Sequence, residues 1–146
     1  MSFSPDDAVL VVHAGGKQCA IDLRQVAEIR GSESVHAAGL VPSSRGFVQR
    51  NGVRVPVYDL RAFLGTPMAS AAEAVVVLDL PDRIAAVMVD AVCDVRIAKN
   101  RLPAAAAETV DGATDAFAWV AAWEGGQAPV LDVTSWLRAC EANRAE

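Results

Sequence analysis

The sequence predicts an all-β protein built from two small barrels that share an apolar junction. Short apolar runs recur at close spacing, with glycine, proline, asparagine and aspartate between them, which is typical of sandwiches and barrels. No long stretch follows a helical period. Segments of the first half return in the second, and a half of about 60 residues buries too little apolar surface to fold alone. We therefore expect the halves to pack against each other.

The first strands form a predicted hairpin. Residues 9–12 are continuously apolar and fit a buried strand, and residues 14–17 supply a glycine-containing turn. After the turn, Cys19, Ile21 and Leu23 alternate with less apolar positions. This alternation predicts the second strand.

A second hairpin is predicted around Asn51-Gly52, a dipeptide that tolerates the positive φ angles of a tight turn. Valines alternate at positions 53, 55 and 57 of the strand that follows. Pro56 in that strand has no N–H to donate to a sheet. We expect the strand to lie at an edge or to present this position outward.

Each half ends in a predicted helix. Asp59 has the position of an N-cap, followed by a helix of barely two turns that stops before Gly65. In the second half, residues 117–123 alternate along a strand, a Gly-Gly pair turns the chain, and Asp132 caps a C-terminal helix. The apolar face of this helix carries Val133, Trp136, Leu137 and Cys140.

The returning segments suggest an internal duplication. Residues 56–64 match residues 129–137, which lie 73 positions later, in the pattern P-V-x-D-x-x-x-x-L. Residues 8–12 resemble residues 74–78, which lie 66 positions later. Two such matches in the same order indicate a repeat rather than a chance likeness.

The repeat defines the predicted organisation of the chain. A single domain spans residues 8–137, with approximate halves at 8–64 and 74–137. The extra length of the second half predicts a longer loop around residues 102–115. The ends, residues 1–7 and 141–146, are predicted to be mobile tails.

Charge is spread unevenly along the chain. The net charge of −5 divides into +1 for residues 1–63 and −6 for residues 64–146, which argues against a general nucleic-acid binder. The basic exception is the segment between residues 45 and 61. Its arginines are Arg45, Arg50, Arg54 and Arg61. Two interpretations stay open for them: a solvated strand face, or a docking surface for RNA or another acidic partner.

The first residues carry no basic, apolar leader, and no apolar run approaches the roughly 18 residues of a membrane span, so we expect a cytoplasmic protein.

The three cysteines, Cys19, Cys93 and Cys140, are far apart and set among apolar neighbours. This pattern favours buried thiols over a disulfide framework or a zinc site.

The sequence offers no constellation for catalysis. Residues 15–17 lack the framing of a phosphate loop, and His13 and His36 have no neighbouring nucleophile or acid. Asp90 and Asp94 could share a strand face as an acid–base pair or half a metal site, but the solvated face of a strand fits them better. The residues expected to face inward are Ala91, Cys93, Val95 and Ile97. We predict no enzyme activity, no cofactor and no metal.

Three motifs follow one another with suitable spacing. The first is I-D-L-R-Q-V-A-E-I-R-G at residues 21–31. The second is G-F-V at 46–48, then Gly52, then V-P-V-Y-D-L-R at 55–61, and the third is V-M-V-D-A-V at 87–92. Together they resemble the motifs of the CheW family of chemosensory coupling proteins, over nearly the whole chain.

The resemblance implies two five-stranded SH3-like barrels with short helical turns and a C-terminal helix, without catalysis or cofactor. It also implies an adaptor that holds the regulatory domain of a CheA-type histidine kinase to the cytoplasmic tips of chemoreceptors. Such a protein would be recruited to membrane-associated receptor arrays without inserting into the membrane.

The resemblance also implies partner-binding positions. Those near the receptor-contacting groove are Leu23, Val26, Glu28 and Ile29. Those facing kinase or receptor are Gly46, Val48, Arg50, Asn51 and Gly52. One departure matters, because Asn51 stands where the family motif has an arginine, and Arg50 lies one position earlier. A shift by one residue in a strand moves a side chain to the other face, so a divergent or non-motility system stays open.

Overall fold

A computed structural model describes residues 7–36, 46–63, 74–103 and 117–144, with the side chains of 62–63 and 139–144 left aside. The strands are β1 (Ala8–Ala14), β2 (Lys17–Asp22), β3 (Val26–Gly31), β4 (Gly46–Arg50), β5 (Val53–Asp59), β6 (Ala74–Asp79), β7 (Ile84–Val89), β8 (Ala91–Ile97), β9 (Asn100–Pro103), β10 (Phe117–Trp123) and β11 (Gly126–Leu131). The helices are α1 (Leu60–Phe63) and α2 (Val133–Arg144), with 3₁₀ turns at Leu23–Gln25 and Ser32–Ser34.

Several sequence predictions fall outside these residues. They concern Arg45, the tail residues 1–6, and residues 104–115 of the predicted loop. At the other end, helix α2 continues to Arg144, and residues 145–146 of the predicted tail also lie outside the described residues.

Both predicted hairpins are present, and their turns have the backbone that the sequence requires. β1 and β2 are antiparallel around Gly15 (φ 61°) and Gly16 (φ 78°). β4 and β5 are antiparallel around Asn51 (φ 53°) and Gly52 (φ 78°). Left-handed backbone at both central positions matches the twist of the flanking strands.

The strands form two sheets, and each sheet draws on both halves of the sequence. The five-stranded sheet has the order β3-β6-β7-β5-β4, and the six-stranded sheet has the order β8-β1-β2-β11-β10-β9. The two halves of the sequence repeat therefore do not coincide with the two barrels. The first hairpin of each half pairs instead with the later strands of the other half.

The hydrogen-bond register carries the same repeat as the sequence. In the parallel pairs, Val57 lies opposite Ala86, and Val130 lies opposite Ala20. Val130 follows Val57 by 73 positions, and Ala86 follows Ala20 by 66, which are the offsets of the sequence repeat. The two sheets are thus equivalent strand for strand, apart from the additional edge strand β9.

Even the irregularities correspond. β3 skips one residue, Ala27, in its pairing with β6, and β8 skips one residue, Cys93, in its pairing with β1. Cys93 follows Ala27 by 66 positions. Because a β-bulge shifts which face each later side chain takes, both strands change face at the same place.

Apolar side chains form three cores. A core inside the five-stranded sheet consists of Val48, Val55, Val57, Val75, Val77 and Ala86. Its counterpart inside the six-stranded sheet consists of Val9, Val11, Ala20, Ala98, Ala121, Ala128 and Val130. The third and largest core joins the two sheets and includes Ile21, Val87 and the T-shaped pair Tyr58 and Trp136. This is the shared apolar junction that the sequence predicts.

The five-stranded sheet is rolled up, so that its outer strands β3 and β4 meet. Arg30 Nη1 on β3 donates to the carbonyl oxygen of Gln49 on β4 at 2.6 Å. Beyond the end of β3, His36 and Phe47 exchange backbone hydrogen bonds of 2.8 and 2.9 Å. These contacts close a barrel and confirm the predicted pair of SH3-like barrels, one with five strands and one with six.

Of the two alternatives predicted for Pro56, the edge strand is wrong, because β5 is flanked by β7 and β4. The outward position fits the structure: Pro56 is half-buried between the buried Val55 and Val57, and the pairing with β7 begins only at Val57. Two further details of the prediction need correction. Cys93 is exposed rather than buried, whereas Cys19 is buried as predicted. Val95 and Ile97, expected inside, are 47% and 42% exposed, because the bulge at Cys93 interrupts the alternation on which that prediction depended.

Candidate functional site

The predicted partner-binding residues lie on the five-stranded barrel, along the line where its outer strands meet. Leu23, Val26, Glu28 and Ile29 belong to the 3₁₀ turn and β3, and the remaining five belong to β4 and its turn. Barrel closure brings the two groups together. We call the contact between Glu28, Arg30 and Arg50 the charged seam.

Glu28 lies at the centre of the charged seam. Its Oε1 accepts a hydrogen bond from Arg30 Nε at 2.8 Å and lies 3.6 Å from Arg50 Nε. All three side chains are 25–36% exposed, so the pairs contribute at most about 1 kcal/mol each. The seam fixes the direction of Arg50 more than it stabilises the barrel.

Apolar side chains flank the seam on the surface. Ile29 is 48% exposed, and Val53, paired with Arg50 across the β4–β5 hairpin, is 57% exposed. Large exposed aliphatic groups beside charged ones are typical of protein-recognition surfaces. Ile29 therefore remains a candidate contact residue, as the resemblance implies.

Two of the predicted residues have a structural role. Val48 is completely buried in the core of the five-stranded barrel, so its side chain is not available to a partner. Gly46 has φ 150°, and a Cβ there would collide with the backbone oxygen of His36. Both positions were predicted as partner contacts, and that role stays a prediction; the structure shows Val48 in the barrel core and Gly46 at the closure contact with His36.

Asn51 and Gly52 form the exposed tip beside the seam. Asn51 has φ 53°, a conformation that asparagine tolerates better than most residues, and Gly52 has open space around the position of a Cβ. The tip carries no charge. Arg50 is held away from it, because Glu28 attracts its guanidinium toward β3.

A groove of about 410 Å³ opens between the barrels at the end of β2. Its walls are Asp22, Arg24, Gln25, Asp79, Leu80 and Pro81. Leu23 and Val26, partly buried, pack against the junction core beside it. The groove therefore combines a polar rim with an apolar neighbourhood.

Asp22 and Arg24 set the charge of this rim. Asp22 Oδ1 accepts from the backbone N–H of Arg24 at 3.0 Å, and Oδ2 accepts from Arg24 Nη2 at 2.7 Å. Partial burial acts to raise the pKa of Asp22, but the hydrogen bonds and charge of Arg24 outweigh it and lower that pKa below its ordinary value. Asp22 is therefore charged at neutral pH.

A second charged cluster is buried where the barrels meet, and sequence reasoning missed it. Arg61 donates to both oxygens of Asp59, from Nε at 3.0 Å and from Nη2 at 3.0 Å, and its Nη1 lies 3.3 Å from Asp90 Oδ1. Asp90 Oδ2 in turn accepts from the backbone N–H of Gly15 at 2.8 Å. The hydrogen bonds to Asp59 raise the pKa of Arg61. The D-x-R spacing and the position of Asp90 were the only available signals.

Asp59 also accepts the backbone N–H of Arg61 at 2.9 Å, as the predicted cap of α1. Asp132 does the same for α2, accepting from the N–H of Ser135 at 3.1 Å. Asp90, predicted on a solvated strand face, is 31% exposed and contacts the buried Arg61. Asp94 is exposed, as predicted.

The basic segment does not form one continuous cationic surface among its described residues. Arg61 is 6% exposed, Arg50 is paired with Glu28, and the guanidinium of Arg54 lies 5.0 Å from the centre of the Phe47 ring. The hypothesis of an RNA-binding stripe needs Arg61 on the surface. The burial of Arg61 contradicts that part of it.

The site contains no arrangement suited to covalent or acid–base chemistry in the described part of the chain. His13 and His36 are exposed, and His36 stacks on Phe47 with ring centres 4.9 Å apart. Over the same residues, no group of three histidine, cysteine, aspartate or glutamate side chains could hold a metal ion. No described helix is long and apolar enough to cross a membrane.

Two rolled sheets with a shared core, an interbarrel groove and an exposed charged seam define a small all-β binding module. The chain belongs to the CheW-like domain family, whose model matches residues 8–141. Its fold is similar to the crystal structure of the scaffolding protein TtCheW from Thermoanaerobacter tengcongensis, with a TM-score of 0.72 and 17% identity over 86% of this chain and 88% of that chain. A comparison with curated proteins found no match. Family membership supports a scaffold or adaptor role in chemotaxis.

Proposed function

We propose that this protein couples the cytoplasmic tips of chemoreceptors to the regulatory domain of a CheA-type histidine kinase. The observation that carries the proposal is the position of the charged seam beside the interbarrel groove, in a chain that belongs to the CheW-like family. The two features offer two distinct surfaces on one chain, which is what a coupling protein requires.

The groove is the proposed receptor site. A receptor tip is a helical hairpin, and a helix docks by placing an apolar face in a groove with a polar rim. Leu23 and Val26 supply the apolar neighbourhood, and Asp22 and Arg24 supply the rim.

The surface around the charged seam is the proposed kinase site. Ile29 is exposed, Glu28 and Arg50 present opposite charges, and the Asn51-Gly52 tip projects beside them. Apolar contacts provide most of the affinity of such interfaces, and charges at the rim select the partner.

We further propose that the protein acts in the cytoplasm, recruited to membrane-associated arrays by its partners. The uncharged tip at Asn51 supports a dedicated or divergent signalling system. A partner with an acidic group that pairs with an arginine at this position would lose that ion pair with this chain.

The test is binding of the full-length protein to the receptor hairpin and the kinase regulatory domain encoded beside its gene, measured by calorimetry. We expect dissociation constants in the micromolar range, which is typical of transient signalling contacts. Variant Arg24→Glu should weaken receptor binding alone, and variant Glu28→Lys should weaken kinase binding alone. If neither partner binds at concentrations 100-fold above the expected dissociation constants, the proposal is wrong.

A further inference from the structure

The six-stranded barrel has its own seam, at positions equivalent by the internal repeat to those of the charged seam. There, strand β8 carries Asp94 and Arg96 in place of Glu28 and Arg30. Strand β10 carries Trp123 in place of Arg50. We call this contact the open seam. In the five-stranded barrel, Arg50 extends from β4 to the carboxylate of Glu28 on β3. Trp123 cannot make this ion pair.

The side chains of the open seam meet differently as a result. Arg96 Nε lies 3.3 Å from Asp94 Oδ2 on its own strand, and the guanidinium lies 5.8 Å from the centre of the Trp123 ring. That separation is wide, since Arg101 lies only 3.9 Å from the ring of Trp119 in the same barrel. The seam leaves a cleft of about 220 Å³.

The walls of the cleft are held in place by the fold. Val11, only 2% exposed, contributes to its apolar lining. The indole of Trp123 packs closely on Gly126, where a Cβ would come within 2.9 Å of the indole nitrogen. The glycine thereby allows Trp123 to form one wall of the cleft.

The polar groups at the cleft favour an anion. Both oxygens of Asp94 are already engaged, one by the N–H of Val95 at 2.8 Å and the other by Arg96. Arg96, whose Nε lies against Asp94, and Gln18 are the lining residues that carry N–H donors. A guanidinium binds a carboxylate through two parallel hydrogen bonds.

We propose that the open seam is a binding site for a small aromatic carboxylate, with the ring against Trp123 and the carboxylate at Arg96. The volume lies below the roughly 300–1,000 Å³ of sites for drug-sized ligands, so a single-ring compound is the appropriate size. The site is on the barrel opposite to the proposed kinase surface. Its existence does not depend on the coupling function.

The experiment is an NMR titration of the ¹⁵N-labelled full-length protein with benzoate, using benzamide and benzylamine as probes of the same size. We expect saturable shifts of the Val11, Gln18 and Gly125 amides with a dissociation constant of about 1 mM, as expected for a ligand with about nine heavy atoms. Benzamide and benzylamine should bind at least about tenfold more weakly, because each lacks the carboxylate.

The internal repeat supplies matched variants. Arg96→Gln should weaken benzoate binding about tenfold, and Arg30→Gln, the equivalent change in the charged seam, should leave it unchanged. Trp123→Arg copies the charged seam and should abolish binding; should it fail to fold, Trp123→Leu removes the ring while keeping an apolar side chain. The proposal is overturned if benzamide binds as tightly as benzoate, or if Arg30→Gln loses as much benzoate affinity as Arg96→Gln. It is also overturned if the shifts do not saturate at a benzoate concentration 20-fold above the expected dissociation constant.

Discussion

Arg61 Nη1 lies 3.3 Å from Asp90 Oδ1, and this contact joins the end of β5 to the residue between β7 and β8. Asp90 also accepts from Gly15 in the first hairpin, which belongs to the other barrel. One buried guanidinium thereby holds together strands from both sheets and both halves of the repeat. The equivalent of Arg61 in the second half is Thr134, so the cluster has no counterpart there.

Replacement of Arg61 by methionine should destabilise the fold strongly. The change leaves the carboxylate of Asp59, 4% exposed, without its cation, and breaking a buried pair in this way costs about 3–5 kcal/mol. Urea denaturation at neutral pH measures the loss. Variant Arg24→Met, which breaks an ion pair at the surface, is the matched control and should cost less than about 1 kcal/mol. Similar losses in the two variants would contradict the role given to Arg61.

Gly46 should tolerate no side chain. Gly46→Ala places a Cβ against the His36 backbone at φ 150°, and we expect a loss of at least about 2 kcal/mol. Gly52→Ala is the control, because its φ of 78° is also positive but the surrounding space is open, so it should cost only about 1 kcal/mol. Thermal unfolding of both variants distinguishes steric conflict from backbone preference; a Gly46 variant as stable as the Gly52 variant would refute the closure role.

The stability of the groove rim should depend on pH through Asp22. Since its pKa is lowered in the folded state, Asp22 contributes stability above the unfolded value of about 3.9, and this contribution is lost as the pH falls through the folded pKa. Burial raises the pKa of Asp22, and Arg24→Gln removes the guanidinium hydrogen bond and charge that oppose it, whereas the backbone hydrogen bond of residue 24 and the charge of Arg101 remain. We expect the Asp22 carboxyl to titrate at higher pH in this variant, by NMR.

The corresponding stability difference between wild type and Arg24→Gln should be present at pH 7 and shrink at pH 3. Urea denaturation at the two pH values tests this. An Asp22 titration curve that is the same in both proteins would show that Arg24 does not control the rim.

The two described thiols should differ in reactivity. Burial raises the pKa of Cys19 to about 12, so almost no thiolate forms at neutral pH, whereas Cys93 is exposed. In a Cys140→Ser background, a disulfide reagent should label Cys93 rapidly and Cys19 only on unfolding. Further replacement of Cys93 by serine should remove the rapid phase. A rapid phase that survives it would place Cys19 at the surface.

The sequence was sufficient for the hairpins, because residues such as Asn51 and Gly52 determine their turns locally. It was not sufficient for the exchange of strands between barrels. The offsets of the repeat show which segments are equivalent. They do not show which sheet β1 joins, because its apolar pattern fits both sheets equally well. That choice depends on packing in the junction core. The bulge at Cys93 could not be predicted from the sequence either. One extra residue changes the face of every later side chain in the strand without altering its composition.

The site was predictable only in part. Glu28, Ile29 and Arg50 lie on the surface as expected, but alternation could not separate Val48 from them, because barrel curvature buries one residue and exposes its neighbours. Arg61 was grouped with the surface arginines by its charge. Only its contacts with both Asp59 and Asp90 in three dimensions distinguish it.

Ile29 and Val95 provide the sharpest test of which barrel binds the kinase. They occupy equivalent positions of the repeat and are 48% and 47% exposed, so lysine at either position should disturb stability equally little. If the kinase surface lies beside the charged seam, Ile29→Lys should weaken binding of the regulatory domain at least about tenfold, because it introduces a solvated charge into the contact. Val95→Lys should leave that affinity within about twofold, since each substitution has a local effect on binding. Calorimetry with the two variants gives the answer directly, and the reverse order of effects would move the kinase site to the six-stranded barrel.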